Sequence, residues 1–142
     1  MVVLRKGFVT VPHGQVHYRY GGRGPVLVML HDSPRSSVRH VPNIEWLGEH
    51  FTVIALDTPG YGNSSPLPVG QREIADYSTA LETALTALGV ERCAIYGNHT
   101  GARIALQFAA DHPERAELTL LDGLALPPVQ PAPAFLDACL QQ

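Results

Sequence analysis

The sequence predicts an α/β fold, a β-hairpin followed by a mostly parallel sheet with helices on both faces. Three observations carry this. Residues 8–11 and 15–20 are short β-type runs joined by His13-Gly14. Four brief, near-continuous apolar runs follow, at 25–30, 52–56, 93–96 and 118–121. Strands buried on both faces of a covered parallel sheet read this way. Between the runs, the apolar period changes to that of helices, and strands alternating with helices give a parallel sheet.

The elements justify themselves in order. Val16, Tyr18 and Tyr20 alternate with Gln15, His17 and Arg19, which predicts a hairpin strand with one buried face. Gly21-Gly22-Arg23-Gly24-Pro25 is a turn; lacking the G-x-G-x-x-G spacing and a following helix, it is no dinucleotide site. After the 25–30 strand, His31-Asp32-Ser33-Pro34 forms a loop. Val38, Val41, Ile44 and Leu47 then outline a modest helix that Pro42 must bend or restart. The 52–56 strand closes on a loop, 57–64, rich in proline, glycine and small polar residues. Ile74, Tyr77, Leu81, Leu85 and Leu88 mark the clearest helix, with Gly89 as its C-terminal cap. The 93–96 strand runs into Gly97 to Gly101, then into a helix carrying Ala102, Ile104, Ala105, Leu106 and Ala109 that stops at His112-Pro113. The last buried strand, 118–121, ends at Asp122-Gly123, and a proline-rich passage follows.

Composition narrows the function classes. With 142 residues, 45% of them hydrophobic and 16% charged, the chain can bury a real core and is not a disordered tail. A net charge of -3 without a basic run argues against nucleic acid or an anionic membrane as partner. Cys93 and Cys139 are far apart and lack metal-ligand spacing, so a reducing compartment fits. No signal peptide and no apolar run of about 18 residues is present, which makes the cytoplasm the expected location.

The chemistry concentrates in Gly97-Asn98-His99-Thr100-Gly101. Strand, tight glycine turn and small-residue helix are the context of a nucleophile elbow, whose central residue is usually Ser in G-x-S-x-G. Here it is His99. Four readings of His99 stand: a binding residue in an elbow without a nucleophile, a general base, a covalent nucleophile, or a metal ligand. An imidazole suits the base role, whereas as a nucleophile it would form a labile acyl-imidazole without a supporting base. Only His31 is a likely histidine neighbour for a metal.

Three motifs in order give a family resemblance. The strand ending Leu30-His31-Asp32-Ser33-Pro34 resembles the His-Gly-x-Pro oxyanion loop of α/β-hydrolases. Asp57-Thr58-Pro59-Gly60-Tyr61-Gly62-Asn63-Ser64 is similar to the D-x-x-G-x-G-x-S segment of epoxide hydrolases, dehalogenases and carbon–carbon hydrolases. Residues 88–116 follow the elbow, helix and His-Pro-Glu-Arg ending of that family. The resemblance spans roughly residues 7–122, the N-terminal half of the fold.

It implies hydrolysis of a small, largely apolar ester, epoxide or related bond without a cofactor or metal. The backbone N–H groups of Ser33 and Thr100 would be the oxyanion donors, backed by the elbow helix dipole. Asp32 stands where the family usually has Gly, and with His31 it borders the substrate. Asp122 would be the acid that orients His99, or a turn residue. His31 is otherwise a hydrogen-bonding residue beneath the oxyanion loop. Asp57 and Ser64 hold their loop, His112 caps its helix, and Cys93 is a small apolar residue.

The family's usual acid and late catalytic His follow later strands, which this sequence does not contain. The resemblance therefore implies a partial core domain over 1–126, a connector and the start of a cap or lid over 127–142, and a truncated chain of doubtful activity alone. The alternative is a non-catalytic ligand-binding protein or an inactive fragment. The 118–121 strand would be an apolar edge open to self-association.

Overall fold

A computed structural model describes residues 1–71 and 73–125. Its elements in chain order are β1 (Arg5–Val11), β2 (Gly14–Gly22), β3 (Val26–Leu30), a 3₁₀ turn (Ser37–His40), α1 (Val41–Leu47), β4 (Thr52–Leu56), α2 (Ile74–Ala87), β5 (Cys93–Asn98), α3 (Thr100–Asp111) and β6 (Ala116–Asp122). The strands form one sheet in the order β1-β2-β4-β3-β5-β6. β1 and β2 are the expected antiparallel hairpin, and β2 also pairs antiparallel with β4. The β4/β3, β3/β5 and β5/β6 pairs are parallel.

The near-continuous apolar strands have a physical cause, since each side of the sheet is covered. Val28 and Leu30 of β3 join Ile54, Leu85, Ile95, Ile104 and Phe108 beneath α2 and α3. Leu27 and Met29, pointing the other way, join Ile44, Val53 and Ala55 beneath α1. Pro42 restarts the chain as expected, because it sits in the first turn of α1 just after the 3₁₀ turn. A proline there forfeits no helical hydrogen bond. α2 closes through Leu88 and Gly89, whose N–H groups donate to Ala84 and Thr86.

Of the two expectations for 118–121, a buried strand and an apolar edge, the edge is what the sheet order gives. β6 is the outermost strand of the described sheet, and Leu118, Leu120 and Leu121 are 54%, 47% and 38% exposed rather than buried. Leu118 and Leu120 share a face with Ala94 and Tyr96 of β5, their register partners, and α1 covers the sheet only farther along, over β2 and β4. The described residues make up this one sheet, its helices and their loops; the 127–142 segment and Cys139 lie outside them. No described helix is long and apolar enough to cross a membrane.

Loops at the carboxyl ends of the strands are tied together by one carboxylate. Asp57, 1% exposed, accepts from the N–H of Ser37 at 2.7 Å and of Asn63 at 2.9 Å, and pairs with His17 Nδ1 at 2.9 Å. Burial pushes its carboxyl pKa up, but the donors from Ser37, Asn63 and His17 outweigh burial and hold it below the usual range. Ser64 completes the tie, donating its hydroxyl to Asp57 O and accepting from His17 N.

Two outcomes follow from this architecture. Replacing Asp57 by Ala strands the buried Ser37 amide and the buried His17 imidazole and frees the Asn63 amide, which should cost about 3–5 kcal/mol in urea unfolding. An apolar edge such as β6 should pair with a second copy, so sedimentation of the purified chain should be concentration-dependent. The double variant Leu118→Lys, Leu120→Lys should shift it to monomer, while unchanged sedimentation would exclude the β6 edge as the contact.

Candidate active site

The turn from β5 into α3 is tight because two residues lack a Cβ. A Cβ on Gly97 would strike the backbone of Gly101, and one on Gly101 would strike the Leu30 carbonyl oxygen. The glycines let the first turn of α3 lie against β5 and the end of β3. At the apex, His99 has φ 48° and ψ -106°, and among the described residues no other non-glycine residue has a positive φ. Such a conformation costs about 1–3 kcal/mol and persists only where neighbours hold it. His99 N donates to Asp122 O at 2.8 Å, and His99 O accepts from Ala102 N at 3.0 Å and Arg103 N at 3.2 Å. The exposed imidazole lies over Gly123, where an added Cβ would come within 3.0 Å of the ring.

Thr100 is the first residue of α3, so its N–H has no intrahelical acceptor. The twelve-residue helix directs its positive end to the same place. Ser33 lies in the loop after β3, and the contact of Gly101 with Leu30 and His31 brings that loop beside the α3 N-terminus.

His31 is 1% exposed, with both ring nitrogens bound to backbone. Nε2 accepts from Thr58 N at 3.0 Å, which leaves Nδ1 to donate to Asp32 O at 2.9 Å. Of the two readings of His31, the hydrogen-bonding role beneath the loop is the one that both ring nitrogens serve.

Asp32 is not a bare carboxylate at the site. Arg35 Nε lies 3.1 Å from Oδ2 and Arg39 Nε lies 3.2 Å from Oδ1. Neither arginine was singled out from the sequence, although their i+3 and i+7 spacing from Asp32 was a readable signal.

Asp122 also differs from the expected arrangement. Its Oδ2 accepts from Tyr96 Oη at 2.6 Å and from Asn98 Nδ2 at 2.9 Å, and its backbone carbonyl, not its carboxylate, binds His99. The Tyr96 hydroxyl first, then the Asn98 amide, hold the Asp122 carboxyl below the usual range. Burial, and then this carboxylate, push Tyr96 up to about 12. Asn98 is 4% exposed, and its Oδ1 has no partner among the described residues. Behind this cluster His40, 1% exposed, packs edge-on to Tyr96 with ring centroids 5.8 Å apart.

The remaining expectations concern single residues. Cys93 is buried, and burial raises its thiol to about 11, so it is an inert packing residue. His112 is the C-cap of α3, its N–H on Phe108 O. Among the described residues no three His, Cys, Asp or Glu side chains converge as a metal site would require.

The buried His40 gives the site a pH signature. Burial, opposed by the Leu30 carbonyl, lowers its pKa from 6.5 to about 4. Between those values the unfolded chain holds a proton that the folded chain does not, so stability rises with pH and is lost as pH falls from 6.5 to 4. The loss attributable to His40 should be about 3 kcal/mol. Urea titrations of the wild type and His40→Gln across that window should show a shallower slope for the variant.

Known proteins resemble this chain in sequence and fold. Residues 25–140 match the family described as alpha/beta hydrolase fold. The fluoroacetate dehalogenase of Burkholderia sp is 34% identical over 108 residues, covering 72% of this chain and 35% of that protein. The 2-hydroxy-6-oxononadienedioate/2-hydroxy-6-oxononatrienedioate hydrolase 2 of Pseudomonas putida is 36% identical over 115 residues, covering 77% and 40%. Among solved structures, a membrane phospholipase A described as a bacterial virulence factor aligns with a TM-score of 0.84 at 27% identity. That alignment covers 98% of this chain and 46% of the other. The chain spans less than half the length of the curated relatives it matches. By its family match and by these relatives, the chain belongs to the alpha/beta hydrolase fold family.

Proposed function

We propose that the carboxyl ends of β3, β5 and β6 form the elbow half of a hydrolytic site for a small ester, epoxide or related bond. The observation that carries this reading is the backbone of His99, held at φ 48° and ψ -106° between strand and helix. Strain maintained at one exposed residue is a feature of functional turns. In this reading Gly97 to Gly101 is a nucleophile elbow, and the N–H groups of Ser33 and Thr100 form an oxyanion hole. His99 takes a proton from water as the water oxygen attacks the carbonyl carbon. The oxyanion then collects on the two amides, and the imidazole returns its proton to the leaving oxygen. Arg35 and Arg39 offset the Asp32 charge that would oppose the oxyanion. A cytoplasmic setting, with Cys93 reduced, accords with this reading.

A specific observation favours a second reading, a ligand-binding elbow without catalysis. The Asp122 carboxylate is occupied by Tyr96 and Asn98, and the His99 ring has no hydrogen-bond partner among the described residues.

Hydrolysis of p-nitrophenyl acetate by the purified chain separates the two. His99→Asn is the apt variant, because Asn tolerates positive φ but cannot act as a base. If His99 is the base, kcat/KM should fall by about 10²-fold or more. Equal rates for the two proteins would remove His99 from the chemistry and leave the binding reading.

A further inference from the structure

The glycine-rich turn between β2 and β3 takes no part in the elbow. It lies beside the amino ends of β3 and β4, because Gly22 pairs with Thr52 and Thr52 with Val26. The elbow stands at the carboxyl end of the same sheet. At the far end a cavity of about 680 Å³ opens. Its walls come from four segments: residues 1–3, Arg5 at the start of β1, residues 20–23, and residues 48–50 after α1. Backbone contacts hold these segments together. Arg23 N donates to Gly48 O at 3.3 Å, and Thr52 ties down the turn by donating its N–H to Pro25 O at 2.9 Å and its hydroxyl to Gly24 O at 3.0 Å. Gly22 sits so close to Phe51 and Gly48 that an added Cβ would strike their backbone. Val2 packs against Gly48 and Gly21, where an added Cβ would meet its side chain at 2.7 and 3.0 Å. The cavity is thus shaped by folded backbone rather than by loose side chains.

The lining has a chemical bias. Arg5 and Arg23 both border the cavity, and among the described residues neither makes an ion pair. They come from separate walls, β1 and the β2–β3 turn. From a third wall His50 brings an imidazole, which carries an N–H donor in either protonation state. Glu49 is the one carboxylate in the lining. The balance is therefore positive in a chain whose net charge is -3. Arginine forks match the paired oxygens of a phosphate. Size decides among anions: small-molecule pockets run about 300–1,000 Å³, so this cavity suits an organic phosphate rather than a single inorganic ion. Two guanidinium groups on different walls also call for charge spread over more than one group, which linked phosphates carry.

We propose that this cavity binds a small molecule carrying linked phosphates, with Arg5 and Arg23 on the phosphate oxygens and His50 donating a further hydrogen bond. The site is separate from the elbow, and it stands whether or not the elbow hydrolyses anything.

Tripolyphosphate is the probe, titrated into the full chain at constant salt and followed by calorimetry and by amide signals in NMR spectra. A saturable heat with one ion bound per chain is expected, and a much weaker response to orthophosphate. Amide shifts should fall on residues 20–23 and 48–50. Arg5→Gln and Arg23→Gln should each weaken binding about tenfold or more, since each removes charge-assisted hydrogen bonds. Arg92→Gln takes the same charge from an exposed pair with Glu117 near the other edge of the sheet, and should leave binding unchanged. Absence of a saturable heat would overturn the proposal, as would unaltered binding in both Arg5→Gln and Arg23→Gln. Equal weakening by Arg92→Gln would do the same, because it marks attraction to net charge alone. Shifts centred on Thr100 instead would place the ion at the α3 N-terminus and also refute it. Arg5 and Arg23 are exposed, so their variants should keep the fold, and unchanged urea midpoints check that point.

Discussion

The site depends on how closely α3 approaches the sheet. Its first turn touches the ends of β3 and β5 only because positions 97 and 101 carry no Cβ. That approach leaves the chain one residue in which to reverse direction, which is why His99 takes a backbone conformation that L residues avoid. Packing opposes the strain, as Ala102, Ala105 and Phe108 on the same helix are fully buried. A strained apex and a well-packed helix are thus two consequences of one contact, and the exposed imidazole is the part left for function.

The loops facing His99 are held by polar groups that have lost access to water. His31 bonds the loops after β3 and β4 to each other, and Asp57 bonds the 3₁₀ turn, the β4 loop and β2. Both residues are 1% exposed, so their hydrogen bonds stand in for those lost to water. Asp32, Ser33 and Arg39 are therefore carried on a frame whose geometry follows from two buried side chains, His31 and Asp57.

Apolar runs and glycine spacing made most of the fold legible. The central strands β3 and β4 could be read because each is buried on both faces, and α2 because Ile74, Tyr77, Leu81 and Leu85 repeat at helical spacing. Asp57 was legible as a loop anchor, since an aspartate before proline and glycines has amides to bind. The partners of Asp122 were not. They depend on β5 and β6 pairing so that Asn98 stands opposite Asp122 and Tyr96 two residues before it, and register is a tertiary property. The 118–121 strand, by contrast, was legible as an apolar edge, and Leu118 and Leu120 are exposed along it.

β6 joins these themes. It supplies the carbonyl that holds His99 N and the carboxylate that draws in Tyr96 and Asn98, and it leads directly into Gly123, over which the imidazole lies. Yet in the described sheet it is hydrogen-bonded to one neighbour only, β5, and its leucines face outward. Edge strands fray more readily than central ones, since opening them breaks one ladder rather than two. The strain of His99 favours such opening, because releasing Asp122 O releases the backbone turn as well. Whatever pairs with the free edge of β6 therefore acts on the site directly. By holding Asp122 and Gly123 in register, a further strand would keep His99 in its strained conformation without touching it.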